Sequence, residues 1–308
     1  MPAPRITIGI PCFNCAPYLP ALLSSLENQK FQPWEAIAVD DASTDGTAEI
    51  LRSLRHPRIR VVLGKENLGL GARLNQINEL AQTDFVARTD ADDLMHPDRL
   101  ARQIACFDTD PMLDVCATGT YTIDNRNRIL GVRRVPPLAT TPVDVMRRNG
   151  PSHPTVTAKR YWFLKFPYRT HLKRSEDLDL WVRSVSESRI LQLDEPLHFI
   201  REDPAFDVGK YRRSIRDHRI VFRHYRHLVR NPLSFWSLLL RSYGKEAVYS
   251  ALASAGLAGR LAAFRNTPVP ELRRAEAETI LSTLLHLGRT PEDQMALPPA
   301  PAALTQEA

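Results

Sequence analysis

The stretch Phe85-Val86-Ala87-Arg88-Thr89-Asp90-Ala91-Asp92-Asp93 constrains this chain more than any other. It opens as a short, mostly apolar run, the pattern of a strand buried on both faces. It ends in three carboxylates within four positions, followed by Pro97 and a helical pattern over Asp98 to Phe107. Like charges this close raise one another's pKa unless a cation neutralises them. A hard divalent ion, held by one or two of the carboxylates together with a substrate's phosphates, would do so. The alternative is a helix N-cap, since an Asp ahead of a helix satisfies free backbone N–H groups and suits the helix dipole. One Asp is enough for that task, and Asp98 stands just inside the helix, so the metal–phosphate reading is preferred.

The segments before it alternate between strand and helix patterns. Ile6 to Ile10 reads as a buried strand cut off by Pro11, and Tyr18 to Leu26 has helical spacing with Leu19, Leu22, Leu23 and Leu26 on one face. Ala36 to Val39 is a second strand that ends in Asp40-Asp41. Ser43-Thr44-Asp45-Gly46 forms a capping turn into a helix over Thr47 to Leu54. Ile59 to Leu63 is a third strand, Gly64 to Gly71 a glycine-punctuated loop, Ala72 to Ala81 a third helix, and Phe85 to Thr89 a fourth strand. This alternation predicts an open parallel α/β sheet, with ligands at the C-terminal ends of the strands. No G-x-G-x-x-G follows the first strand and no G-x-x-x-x-G-K-[ST] occurs, which argues against a dinucleotide enzyme and a P-loop enzyme.

With 308 residues the chain has room for one large domain, or one domain and an extension. No apolar run approaches the ~18 residues of a transmembrane helix. Met1 to Arg5 leads straight into a strand without a signal-peptide pattern, so a cytoplasmic address is expected. A net charge of +6 and a pI near 9.3 point to an anionic partner without choosing among nucleotide, nucleic acid and anionic lipid. Cys12 and Cys15 have the spacing of a redox pair or half a zinc site. Cys106 and Cys116 supply no second pair of that kind, so free, partly buried thiols are expected.

Four motifs in order carry a resemblance: Pro11-x-Phe13-Asn14; Val39-Asp40-Asp41-Ala42-Ser43-Thr44-Asp45-Gly46-Thr47; Glu66-Asn67-Leu68-Gly69-Leu70; and Ala87 to Asp93 with Pro97-Asp98-Arg99-Leu100. From about Ile6 to Arg201 the chain resembles family 2 glycosyltransferases. The resemblance implies a GT-A fold, a Rossmann-like, mostly parallel sheet flanked by helices with a metal-binding D-x-D. It implies that Asp41 reads the base of the nucleotide, most often uracil, with Pro11 and Asn14 lining the same pocket. Asp92 would bind Mn2+ or Mg2+ on the diphosphate, and Asp90, beside Ala91, would lie near sugar and ribose. Chemically this is coherent: a carboxylate accepts from the imide N–H of uracil, and a metal draws off leaving-group charge. Arg73, Arg88 and Lys65 are further candidates for phosphate, each against the alternative of a solvated charge.

Leu113 to Gly119 and Ile129 to Val132 read as strands around the turn Asp124 to Asn127, and Asn149 to Thr155 as a loop before a strand over Thr155 to Ala158. By itself Ser175-Glu176-Asp177-Leu178-Asp179 reads as a helix start, with Ser175 as cap and acids in the first turn. In the family, E-D-x-D-L-W-x-R is the acceptor-side motif. The resemblance therefore makes Asp177 the general base, with Glu176 and Trp181 on the acceptor side. His153 matches a family His-Pro position and either contacts the diphosphate or is structural. Phe166-Pro167-Tyr168-Arg169 departs from the family's Gly-Gly-Tyr-Asp-Glu-like stretch, so the acceptor does not carry over. The Q-x-x-R-W motif of processive synthases is absent, which favours a single addition.

The implied activity is metal-dependent, inverting transfer of a sugar from a nucleotide sugar, UDP-linked in most relatives, to a glycan or lipid-linked acceptor, with no nucleic-acid partner. A sugar nucleotidyltransferase would need a Gly-rich basic first loop, which Pro11 to Cys15 is not. A non-catalytic nucleotide-sugar-binding protein would have no use for both Asp92 and Asp177. The expected organisation is a catalytic domain over 1–205, a helical extension over 206–290 and a disordered tail over 291–308. Lys210 to Arg230 carries eight Lys/Arg against one Asp with aromatics interleaved, and Phe235 to Leu240 adds an apolar patch. This is either a basic amphipathic segment giving peripheral membrane contact over 210–240 at the inner face of the membrane, or a helix packed on the catalytic domain. Further helices are expected over Lys245 to Phe264 and Pro270 to Leu287.

Overall fold

The computed structural model describes residues 2–202, 208–256 and 266–287. The first half follows the expected alternation: β1 (Ile6–Cys12), α1 (Leu19–Glu27), β2 (Trp34–Asp40), α2 (Thr47–Ser53), β3 (Ile59–Leu63), α3 (Leu70–Leu80) and β4 (Phe85–Arg88). Strands β1 to β4 are parallel, in the order β4-β1-β2-β3. Alternation along β2 sends Ala36 and Ala38 to one face, over α1, and Ile37 and Val39 to the other, over α3. Gly9 lets α3 rest on the backbone of β1: a Cβ there would lie 2.7 Å from Ile77 Cγ2.

Pro11 does not cut β1 off. The strand continues to Cys12, paired with β2 through Pro11↔Val39, whereas its pairing with β4 ends at Gly9↔Arg88. Gly9 turns its carbonyl toward the β4 side, accepting from Thr89 N, and Pro11 two residues on faces the same side, where β4 has ended. No ladder hydrogen bond is lost there.

The sheet as a whole is mixed, which corrects the mostly parallel expectation. After β5 (Leu94–Met95) and α4 (Arg99–Thr109) come β6 (Val115–Ile123), β7 (Ile129–Arg133), α5 (Pro142–Arg148), β8 (Thr157–Lys159), α6 (Arg160–Lys165), α7 (Glu176–Ser184) and β9 (Ile190–Arg201). β8 runs antiparallel between β4 and β6, and β7 antiparallel to β6. β9 runs parallel to β6 and antiparallel to β5. One apolar cluster joins α1 and α4 to one side of the sheet, and a second joins α3, α6 and α7 to the other.

The C-terminal part is α8 (Val208–His224), α9 (Pro232–Ser254), the short β10 (Asn266–Thr267) against β7, and α10 (Glu271–Leu287). The expected helix over Lys245 to Phe264 is instead the second half of α9, which begins at Pro232 with the Asn231 side chain accepting from Leu233 N. Residues 257–264 of that expectation, and the tail 291–308, lie outside the described residues. α10 packs on α1, and its Leu281 and Leu284 join Tyr121, Ile123 and Phe199 in a third cluster. No described helix is long and apolar enough to cross a membrane.

The basic strip of α8 is largely an intramolecular contact. Ile215, Val221 and Phe222 are buried, and Arg212, Arg216 and Arg219 reach Glu246 of α9 at 3.6, 2.9 and 2.7 Å. Phe235 is buried too, leaving Leu233, Trp236, Leu240 and Tyr243 exposed along one side of α9. Replacing Glu246 by Ala leaves Arg219, among the described residues, with the Ser242 hydroxyl and the Tyr243 ring as its polar and aromatic partners. The expected cost is about 1–3 kcal/mol, the range for removing a charged hydrogen-bond partner, read as a lower midpoint in urea unfolding.

Candidate active site

The loop after β4 gathers the three acids. Ligand-capable oxygens of Asp90, Asp92 and Asp93 all lie within 4.8 Å of one another. Asp93 is buried and fully engaged: it meets His198 Nε2 at 3.1 Å and accepts from Arg201 N at 2.9 Å. Burial, then Asp92 and Asp90, push its carboxyl well above the ordinary range. Asp92 is half-buried, and its side chain makes no hydrogen bond among the described residues. Burial and then Asp90 raise its pKa as well. Asp90 accepts from Arg88 Nη2 at 2.5 Å, and Ala91 is buried between the two acids. Three carboxylates with one arginine between them fit a hard divalent cation, and Asp92, free of side-chain hydrogen bonds among the described residues, is the one open to it. Asp98 does not cap α4 through its side chain; it pairs with Lys30 at 2.7 Å.

Beneath the acids lies a support that the sequence reading missed. Arg99 is fully buried, donates to the Arg88 carbonyl at 2.7 Å and reaches His198 Nδ1 at 2.9 Å. Burial and the neighbouring Arg88 lower its pKa to about 9. Arg201 donates through Nε to the Asp92 carbonyl, and through its two Nη atoms to the Asp124 carbonyl and Asn127 Oδ1. The available signal was the end of β9, His198-Phe199-Ile200-Arg201, another apolar strand running out into charge. Arg88 itself is buried with Nε and Nη1 unpartnered. Burial opposes its charge, but Asp90, Tyr168, Asp93 and Glu176 outweigh that and hold its pKa up.

A cleft of about 470 Å³ has Asp90, His153 and Asp177 among its lining residues, so the loop after β4 and the first turn of α7 face one space. Glu176, next to Asp177, is buried with Oε2 unpartnered; burial and then Asp177 push its pKa up to about 8. His153 is buried with Nε2 on the Tyr168 hydroxyl at 2.8 Å. Burial and then Arg88 hold its pKa well below the ordinary value, so it is neutral and brings no positive charge to a diphosphate. Trp181 is 1% exposed and packs against Trp162, which removes it from any acceptor surface. It acts instead through Gly150, where a Cβ would come within 2.3 Å of the indole ring. Ser175 makes no cap hydrogen bond and its buried hydroxyl is unpartnered.

On the other side of the β1 end, Pro11, Phe13, Asp41, Leu68 and Lys173 line a cleft of about 420 Å³. Asp41 ties the glycine loop to β2, accepting from Leu68 N at 2.8 Å, Gly69 N at 2.9 Å and Arg73 Nε at 2.7 Å. Arg73 also donates to the Glu66 carbonyl at 2.6 Å and to Gln76 at 2.9 Å, so its guanidinium holds the loop rather than a phosphate. Gly64 is required by this: a Cβ there would lie 2.3 Å from Arg73 Nη2. Lys65 is exposed on the same loop. Asn14 does not line the cleft. In left-handed conformation (φ 49°), it accepts from Thr44 N at 2.8 Å and so fixes the turn before α2. All four cysteines are free.

Glu176 gives the site a pH signature. Its pKa rises from 4.5 to about 8 on folding, so the folded chain holds a proton that the unfolded chain releases. Its contribution to stability is therefore intact below pH 4.5 and is lost as pH climbs to about 8. Glu176→Gln removes this contribution. With a chelator present, the melting temperature at pH 8 relative to that at pH 5 should be higher in the variant than in the parent chain, since the buried His153 and His198 contribute alike to both.

Comparison with known proteins places this geometry in a family. The family model for glycosyl transferase family 2 matches residues 7–175. The protein EpsE of Bacillus subtilis (strain 168) is 34% identical over 242 residues, 75% of this chain and 85% of that protein. The crystal structure of TarS residues 1–349 from S. aureus in complex with UDP superimposes with a TM-score of 0.55 at 22% identity, covering 71% of this chain and 65% of that one. The mannosyltransferase PcManGT from Pyrobaculum calidifontis, in complex with GDP-Man and Mn2+, gives 0.55 at 20% identity over 95% of this chain and 83% of that one. At these identities the two structures speak to the fold. A family model over more than half of the chain, together with the EpsE match, assigns it: the chain belongs to glycosyl transferase family 2 and is a glycosyltransferase.

Proposed function

We propose that this glycosyltransferase is a GT-A enzyme that makes a single, inverting, metal-dependent transfer from a UDP-linked sugar to an acceptor hydroxyl during synthesis of a surface polysaccharide, lipopolysaccharide or other glycoconjugate. The observation that carries it is Asp90 and Asp177 facing one cleft, beside a cluster of three acids in which Asp92 has no side-chain partner among the described residues. The UDP and the GDP-Man with Mn2+ held by the two relatives support a nucleotide sugar and a divalent ion.

Asp41, Pro11 and Phe13 take the base in the cleft at the end of β1, with the Asp41 carboxylate accepting from the imide N–H. Its three present hydrogen bonds leave it room for one more acceptor contact. Asp92, with Asp90 beside it, holds Mn2+ or Mg2+, which when bound neutralises the leaving diphosphate. Asp177 receives the proton of the attacking hydroxyl, and its half-exposed position leaves it open to the acceptor. Glu176, kept protonated by burial, adds no second negative charge next to it. Arg88 holds Asp90, and His153 with Tyr168 orders the wall between them.

The reading takes 1–205 as the catalytic domain and 206–290 as an extension, in a cytoplasmic enzyme working at the inner face of the membrane. Peripheral contact belongs to the exposed side of α9, because Arg216 and Arg219 are tied to Glu246. Trp236→Ser with Leu240→Ser should abolish co-sedimentation with anionic liposomes, whereas retained binding assigns no membrane role to α9.

The chemistry is tested by two variants in parallel. Asp92→Asn should weaken Mn2+-dependent UDP binding at least about tenfold, read by calorimetry, with an unchanged fold. Asp177→Asn should keep that binding and lower turnover of UDP-sugar by about 10²-fold or more, the low end for a general base. Full activity in Asp177→Asn removes it as the base.

A further inference from the structure

A third cleft, of about 800 Å³, lies between the end of α5 and the α8–α9 pair. Its floor is apolar, built by Met146, Ile215, Phe222 and Leu238. Tyr211 and Tyr249 stand in its wall with ring centroids 4.2 Å apart. Around them it carries Arg147 and Arg148 from the last turn of α5, and Arg241 and Lys245 from α9. All four cations are exposed, and none makes an ion pair or a side-chain hydrogen bond among the described residues. This sets them apart from Arg212, Arg216 and Arg219, which share Glu246. Helix-end cations suit the dipole of α5, which accounts for Arg147 and Arg148 on their own. It does not account for two more cations converging from another helix across a hollow with an apolar floor.

The cleft opens onto the chemistry. Arg148 and Asn149 line it and also line the space that holds Asp90 and Asp177. His218, in the same cleft, feels the charge of Asp177, which pulls upward against the burial that lowers its pKa. The partition between the two spaces is the Asn149–Gly150 corner, with Asn149 left-handed at φ 65° and Gly150 seated against the Trp181 ring.

We propose that this cleft binds the acceptor, and that the acceptor carries a phosphate or pyrophosphate group. The anion sits among Arg147, Arg148, Arg241 and Lys245, and the hydroxyl to be glycosylated extends past Asn149 to Asp177. The tyrosine stack and the apolar floor take the sugar or lipid portion next to the anion. The inference rests on Asp177 as the base, and it adds the chemical class of the acceptor. The anion can come from the headgroup of a lipid carrier or from a free sugar phosphate, and the shared chemistry is the phosphate.

The test titrates the full chain with inorganic pyrophosphate in the presence of a chelator, which removes metal-dependent binding at the donor side. The parent chain should bind. Arg241→Ala with Lys245→Ala should weaken binding at least about tenfold, since the loss of one charge-assisted contact is worth about that factor. Arg147→Ala, on the opposite wall, should weaken it in the same direction, and all three side chains are exposed, so the fold is not at risk. Mn2+-dependent UDP binding should stay within about twofold in both variants. Pyrophosphate binding with this pattern supports the cleft even if the parent chain fails to bind UDP, a result that would sink the donor reading alone. Phosphatidylcholine vesicles carrying farnesyl diphosphate, run against glucose 1-phosphate in solution, separate the sources. Sedimentation with the vesicles that is lost in the double variant assigns a lipid-borne anion, and competition by glucose 1-phosphate without sedimentation assigns a free one. No pyrophosphate binding by the parent chain, or equal affinity in the variants, overturns the proposal.

Discussion

Three carboxylates at the end of a buried strand repel one another, and much of the surrounding structure answers that repulsion. Asp93 is the most buried of the three, and it is held by His198 and by the backbone N–H of Arg201. Those partners are available because β9 lies between β6 and β5, and β5 directly follows the acids. Arg99 completes the support from below, linking His198 to the carbonyl of Arg88. A charge-bearing cluster removed from water is costly unless it is partnered. The arrangement fixes Asp93 within the protein and leaves the half-buried Asp92 without a side-chain hydrogen bond among the described residues, so the residual demand for a cation falls there.

What the sequence made legible were the elements whose signal is local. Ile59–Leu63 is a strand with the expected bounds, and α1, α2 and α3 lie within about two residues of the helical periodicity. The acid cluster was equally legible, because its meaning depends on charge density along a few positions. Elements defined by distant pairing were not. β5 is two residues long and exists through its register with Phe199 and His198, about a hundred positions away. Pro11 looked like a strand terminator because the sequence cannot say that β4 stops two residues earlier on that side.

Roles of single side chains were harder to read, for a related reason. Arg73, Asn14 and Trp181 have residue types suited to phosphate, base and sugar, and each has an internal partner instead. Arg73 closes the glycine loop on Asp41, Asn14 accepts from the turn before α2, and Trp181 fills the space under Gly150. These contacts still bear on function through position. Asp41 can present a carboxylate edge to the cleft because Arg73 and two backbone N–H groups hold the rest of it. Residue type narrowed the chemistry, and the fold decided which group meets a ligand.

The same distinction explains the basic C-terminal helices. Read as a strip, Lys210 to Arg230 is a uniform positive surface, but folding divides its charge by partner. Glu246 gathers three arginines into the α8–α9 contact, where burial of Ile215 and Phe222 makes the attachment apolar as well as ionic. The cations of that region left for solvent or ligand therefore include Arg241 and Lys245, together with Arg147 and Arg148 across the cleft. Their side of the molecule is fixed relative to Asp177 through Trp181, which sits on α7 four residues further on and supports Gly150 at the corner. In the acceptor reading proposed above, a rigid corner between a cationic hollow and a carboxylate sets how far the acceptor's hydroxyl reaches beyond its anion, a constraint on which acceptors fit.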